Sequence, residues 1–183
     1  MPFDEFVRKV ISELNGSGLE YALTGRLAAG HDAGAGTEVD ALVRLRRSML
    51  GRLAVTLQRI GFGCETDELE KVWASKYRVA SFATPEGYRL GVVLTHGVMA
   101  RTDAVIFDVP TYVLEPGAMV LDRLASLRDS SDEASRQDAV GEVLFILKNA
   151  ELDIAGLKDA ARRQRTSEIL EEMLAQAEEA GGE

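Results

Sequence analysis

The chain has 183 residues, 46% hydrophobic and 28% charged, with a formal net charge of -9. That composition predicts a soluble globular protein with a real apolar core, and the acidic total disfavours a broad, sequence-independent nucleic-acid surface, which needs a basic footprint. Cys64 is the single cysteine, which excludes an intramolecular disulfide and a thiolate metal cluster; acids at Asp4 and Glu5 and the short apolar runs predict no secretory leader and no membrane span, hence the cytoplasm.

Phe3, Phe6, Val7, Val10, Ile11 and Leu14 recur at helical spacing, and Asn15-Gly16 is expected to end that helix. Leu19 to Thr24 and Thr37 to Leu45 read as strands. Between them Gly30, Gly34 and Gly36 leave room for a helical turn or two followed by a mobile loop. Ser48 is placed to cap a helix carrying Leu50, Leu53, Ala54, Leu57 and Ile60, with Gly61 to stop it. Glu65 to Ala74 reads as a polar helix. Lys76 to Ala83 and Tyr88 to Thr95 read as a hairpin across Thr84-Pro85-Glu86-Gly87. Ala104 to Val109 and Thr111 to Leu114 are further short strands.

After Pro116 strand signals vanish. Met119, Val120, Leu124 and Leu127 form one helical stripe, and Val140, Val143, Leu144 and Leu147 a second. Asp153 can cap a third helix with Ile154 and Leu157, and Ile169, Leu170, Met173, Leu174 and Ala177 mark a fourth. The pattern predicts an α+β region over residues 1–115 and a helical region over 116–183 packed on it.

The segment with most chemical content runs from Tyr21 to Val43. An apolar run ends at Thr24-Gly25-Arg26, and a second carries Glu38-Val39-Asp40. On a strand, Glu38 and Asp40 share one face roughly 7 Å apart at Cα, with Val39 and Ala41 turned the other way. Unpaired carboxylates are rarely buried, so acids in a buried strand suggest a cation, a ligand or an exposed strand end. Standing alone, an acid-x-acid triplet more often marks an exposed acid beside a locally paired one.

The order strand, Gly turn, short helix, strand with two alternating acids resembles the nucleotidyltransferase superfamily, and within it the bacterial branch that includes AbiEii-type toxins. Leu23 to His31 and Thr37 to Val43 carry the resemblance. It implies a mixed β-sheet flanked by helices, followed by a C-terminal helical bundle. It also implies that Thr24, Gly25 and Arg26 hold the phosphates of a nucleoside triphosphate, and that Glu38 and Asp40 act in catalysis as Mg²⁺ ligands. In such transfer two ions about 3.5 to 4 Å apart stabilise the entering and leaving oxygens.

The chain departs from the family pattern in three places. Glu38 stands where the first acid is normally Asp; Arg26 replaces a second Gly and could either pair with phosphate oxygens or fill the space of the triphosphate; and Gly91, in Arg89-Leu90-Gly91-Val92-Val93, stands where many active members have a third carboxylate. Asp103 and Asp108 are the remaining candidates for that role. Arg123 and Arg128 match family cations that approach the triphosphate or packed acids such as Asp138; the alternative is that both are solvent-facing residues of an amphipathic helix. His31 and His96 show no ligand spacing and read as turn residues, although His31 falls in the family's His-Gly region. Arg44, Arg46 and Arg47 read as a solvated strand end. Past Arg165 there are acids and no Lys or Arg, a face that suits solubility or a basic partner.

Three functions compete on this reading. One is Mg²⁺-dependent transfer of a nucleoside monophosphate to an unknown acceptor, weakened by the missing acid. A second is an inactive nucleotidyltransferase-like binding subunit with a protein partner, of toxin-antitoxin or phage-defence type. The third is a helical adaptor whose α/β half is only structural.

Overall fold

The computed structural model describes residues 1–30 and 36–179. The chain divides into two compact units, Met1–Leu114 and Glu115–Glu183.

In the first unit, α1 (Phe3–Ser17) places Phe6, Val7, Val10, Ile11 and Leu14 on one buried stripe. The helix runs past the expected stop at Asn15 and ends at Gly18, whose φ of 68° is left-handed, a conformation glycine adopts without a Cβ penalty. Asn15 is instead used in tertiary bonds: its amide donates to the Pro110 carbonyl at 2.9 Å and its oxygen accepts from Tyr21 Oη at 2.7 Å. Then follow β1 (Glu20–Thr24), the single turn α2 (Gly25–Ala28) and β2 (Glu38–Arg44).

A 3-10 turn over Arg47–Met49 leads into α3 (Leu50–Ile60), so Ser48 lies inside a turn and makes no capping bond. The helix α4 (Thr66–Ala74) starts with a reciprocal box. Glu65 and Glu68 each accept the other's backbone N–H through a side chain, which satisfies two of the helix's first donors. β3 (Val79–Ala83) and β4 (Arg89–Thr95) form the expected hairpin. The next hairpin, β5 (Arg101–Ile106) and β6 (Val109–Leu114), turns at Phe107-Asp108, inside the strand expected over Ala104 to Val109. Both turn residues have positive φ, 47° and 63°, the pairing that a tight hairpin of matching twist needs. Pro110 misleads because it sits in a strand; it has no N–H to give to a ladder.

The strands form one mixed sheet in the order β3-β4-β2-β1-β6-β5. β1 pairs with β2 antiparallel, while β2 pairs with β4 and β1 with β6 parallel. Val39, Ala41, Val43, Leu90, Val92 and Leu94 project from one face into a core with α1, α3 and Leu69 of α4. Alternation with period two leaves Glu38, Asp40, Leu42 and Arg44 on the opposite face.

The second unit contains α5 (Pro116–Asp129), α6 (Glu133–Asn149), α7 (Ile154–Gln164) and α8 (Ser167–Glu179). Asp132 and Asp153 cap α6 and α7 through their carboxylates. The stripe on α5 is buried as predicted, but on α6 the buried set is Ala139, Glu142, Val143 and Ile146. Val140, Leu144 and Leu147 are only half-buried. The helix is apolar on two sides and packs against both α5 and α8, so a single stripe does not describe it. No helix among the described residues is long and apolar enough to cross a membrane.

Candidate active site

The site is built where β1 ends. Thr24 is the last residue of β1 and pairs in register with Asp40 of β2. Directly opposite residues of an antiparallel pair project to the same side of the sheet. The chain then bends at Gly25, which has φ of 73° and is buried; a side chain is disfavoured there, and α2 begins at once. Arg26 follows with its side chain exposed.

Thr24 is 7% exposed, and its Oγ1 is buried with no hydrogen-bond partner among the described residues. Buried hydroxyls are nearly always paired, so an orphan at a strand end calls for an explanation, and a missing ligand is one. Asp40 is half-buried, whereas Glu38, at the mouth of β2, has a side chain 49% exposed.

On the other side of β2, Glu38 pairs in register with Arg89, and Asp40 with Gly91. The Arg89 Nε lies 3.9 Å from Glu38 Oε1, and Arg89 Nη2 donates to Ser81 Oγ at 3.2 Å. A Cβ added at Gly91 would overlap Asp40 Oδ1. The Asp40 carboxylate therefore covers the position from which a third acid would project.

The remaining acids considered for that role lie elsewhere. Asp103 is on β5, three strands from β2, or roughly 14 Å at ordinary strand spacing. Asp108 occupies the β5–β6 turn. Asp103 instead lines a cavity of about 940 Å³ with Asn15, Glu20, Tyr21, Arg101 and Tyr112, which includes none of Thr24, Gly25, Glu38 or Asp40. Arg123, in the helical unit, donates from Nε to Glu142 Oε2 at 2.6 Å. That bond gives Arg123 a fold-holding account that needs no ligand. His31 lies outside the described residues.

The oxygens of Asp40, Glu38 and Thr24, two carboxylates and a hydroxyl, are hard donors on one sheet face. Mg²⁺ is usually held by one or two carboxylates together with waters and substrate phosphates, and this set fits one such ion. Among the described residues, no group of three or more His, Cys, Asp or Glu gathers that could hold a metal ion. Sequence reasoning passed over Ser81 and Arg89 as site residues. The signal available was parity: Arg89 is two residues before Gly91 and so shares its face.

No family model matches the chain, and no curated protein does. Among solved structures, an antigenic nucleotidyltransferase-like protein from Paracoccidioides brasiliensis matches with a TM-score of 0.55 and 14% identity, over 94% of this chain and 92% of that one. The antibiotic-resistance factor ANT(2'')-Ia matches with a TM-score of 0.56 and 11% identity, over 92% and 95% of the two chains. The fold is nucleotidyltransferase-like. At these identities the likeness speaks for architecture, and the chemistry must be argued from the residues.

Proposed function

We propose that this chain binds a nucleoside triphosphate at the Gly25 bend and transfers its nucleoside monophosphate slowly to an acceptor, with Mg²⁺ held by Asp40 and Glu38. The observation that carries the reading is the Thr24–Asp40 pair: a buried, unmatched hydroxyl and a carboxylate on one sheet face, at the point where Gly25 turns the chain away.

In this account the Thr24 hydroxyl donates to a phosphate oxygen and so loses its orphan status. The Gly25 bend adds no side chain of its own beside Thr24, and the exposed Arg26 adds a positive charge beside the entry. Asp40, half-buried, is the main metal ligand, and Glu38, more exposed at the mouth of the strand, is the second. Bound Mg²⁺ supplies charge neutralisation for the phosphate chain and the leaving diphosphate.

Slowness follows from Gly91. Attack by a hydroxyl is faster when a base takes its proton, an effect typically of 10²- to 10⁴-fold. The residue facing Asp40 across β4 has no side chain to do this. The same observation favours a second reading, a nucleotide-binding subunit of AbiEii-like type that has given up transfer and acts through a protein partner.

Incubation of the purified chain with each of four α-labelled nucleoside triphosphates, Mg²⁺ and cell lysate tests transfer. The account predicts faint labelling of a product that disappears in Asp40→Ala. Absence of label with all four nucleotides, under conditions where nucleotide binds, would leave only the binding subunit.

A further inference from the structure

Arg89 opens β4, where its N–H donates to the Thr37 carbonyl at 2.8 Å, so its backbone is fixed beside the start of β2. Its guanidinium lies between Ser81 and Glu38, on the sheet face that carries Asp40. The contact to Glu38 is at 3.9 Å, with side chains 56% and 49% exposed. An ion pair so open and so long holds little energy and can be exchanged. A guanidinium also presents five N–H donors in a planar fork that matches phosphate oxygens.

The charges at this site pose a problem that Arg89 solves. Two carboxylates on one face repel a triphosphate unless a cation stands between them, and the donor set is thin for two metal ions. We propose that Arg89 is a cation built into the site alongside Arg26: it holds Glu38 while the site is empty and turns to the phosphate chain of an arriving nucleotide, releasing Glu38 to the metal. The inference rests on the nucleotide-site reading above and assigns Arg89 as a phosphate-binding residue within it.

The exchange makes two opposite predictions for one substitution. ATP and inorganic tripolyphosphate titrated by calorimetry in the presence of EDTA should bind Arg89→Ala about tenfold more weakly than wild type, the loss expected for a charge-assisted hydrogen bond. Mg²⁺ titrated alone should bind Arg89→Ala several-fold more tightly, because Glu38 is no longer engaged. Arg89→Lys, which keeps the charge and loses the fork, should fall between. An unchanged thermal midpoint in Arg89→Ala separates these effects from a loss of fold. If metal-free ATP and tripolyphosphate bind Arg89→Ala as they bind wild type, while Asp40-dependent Mg²⁺-ATP binding persists, this inference is overturned and the site reading stands. Wild-type protein that binds ATP neither with nor without Mg²⁺ overturns both.

Discussion

Asp40 and Gly91 sit opposite each other in the parallel β2–β4 pair, and the Asp40 carboxylate covers the Gly91 Cα at the place a Cβ would take. An acid-bearing strand thus depends on a side-chain-free neighbour. The missing third acid and the posture of the second are one structural fact.

Gly91→Ala should therefore destabilise the protein by about 1 to 3 kcal/mol, the usual range for overpacking. Urea unfolding of Gly91→Ala, Asp40→Ala and the double variant measures the link. Residues in contact are non-additive, so the Gly91→Ala penalty should largely vanish in the Asp40→Ala background. An equal penalty in both backgrounds contradicts the packing described.

Arg123 and Glu142 should behave as a structural cross-link between α5 and α6. Their side chains are 20% and 10% exposed, and removal of one partner leaves a nearly buried charge. Arg123→Ala should lower unfolding free energy by about 3 kcal/mol, whereas replacing both residues by Met should recover much of that. Chemical denaturation of the three proteins provides the comparison.

Cys64 should be a silent thiol. It is fully buried, and burial first, then the charges of Glu68 and Glu65, push its pKa up to about 11. Because the folded value is raised, the stability it contributes is full below the unfolded pKa and is lost as pH rises through about 11. A thiol reagent at pH 8 should react at the rate of unfolding, and at once in denaturant; rapid reaction of the native protein would show the cysteine to be exposed.

Tyr21 bridges two parts of the first unit. Its hydroxyl donates to Asn15 Oδ1 at 2.7 Å and lies 2.9 Å from Thr111 Oγ1. Tyr21→Phe leaves the buried Thr111 hydroxyl without this partner, at an expected loss of about 1 to 2 kcal/mol. Thermal unfolding checks it, and Tyr21→Phe combined with Thr111→Val should lose less than the sum.

Much of this architecture was legible because it rests on periodicity. The alternation through Glu38 to Val43 assigned both acids to one face, and the helical stripes of α1, α3 and α5 named their own core residues. What could not be read was set by tertiary partners. Asn15 looked like a helix stop because its role is to reach Pro110 and Tyr21, which lie far off in sequence or beyond the turn. The β5–β6 turn falls inside the strand expected over Ala104 to Val109, because positive φ at Phe107 and Asp108 leaves little trace in those residue types. Of the candidate site, Thr24-Gly25 and Glu38-Val39-Asp40 are short motifs that the sequence presents directly. Arg89 shares a face with Gly91 by parity, whereas Ser81 joins them only through the β3–β4 register, which one sequence does not reveal.

The central claim is that the Thr24–Gly25 bend and Asp40 together form a nucleotide site that uses a metal ion. Calorimetric titration of ATP with Mg²⁺ into wild type and Asp40→Ala tests it most directly. The account predicts saturable binding to wild type that weakens at least about tenfold in Asp40→Ala, as expected for loss of a charged ligand. Equal binding by both proteins, or none by wild type, would contradict it.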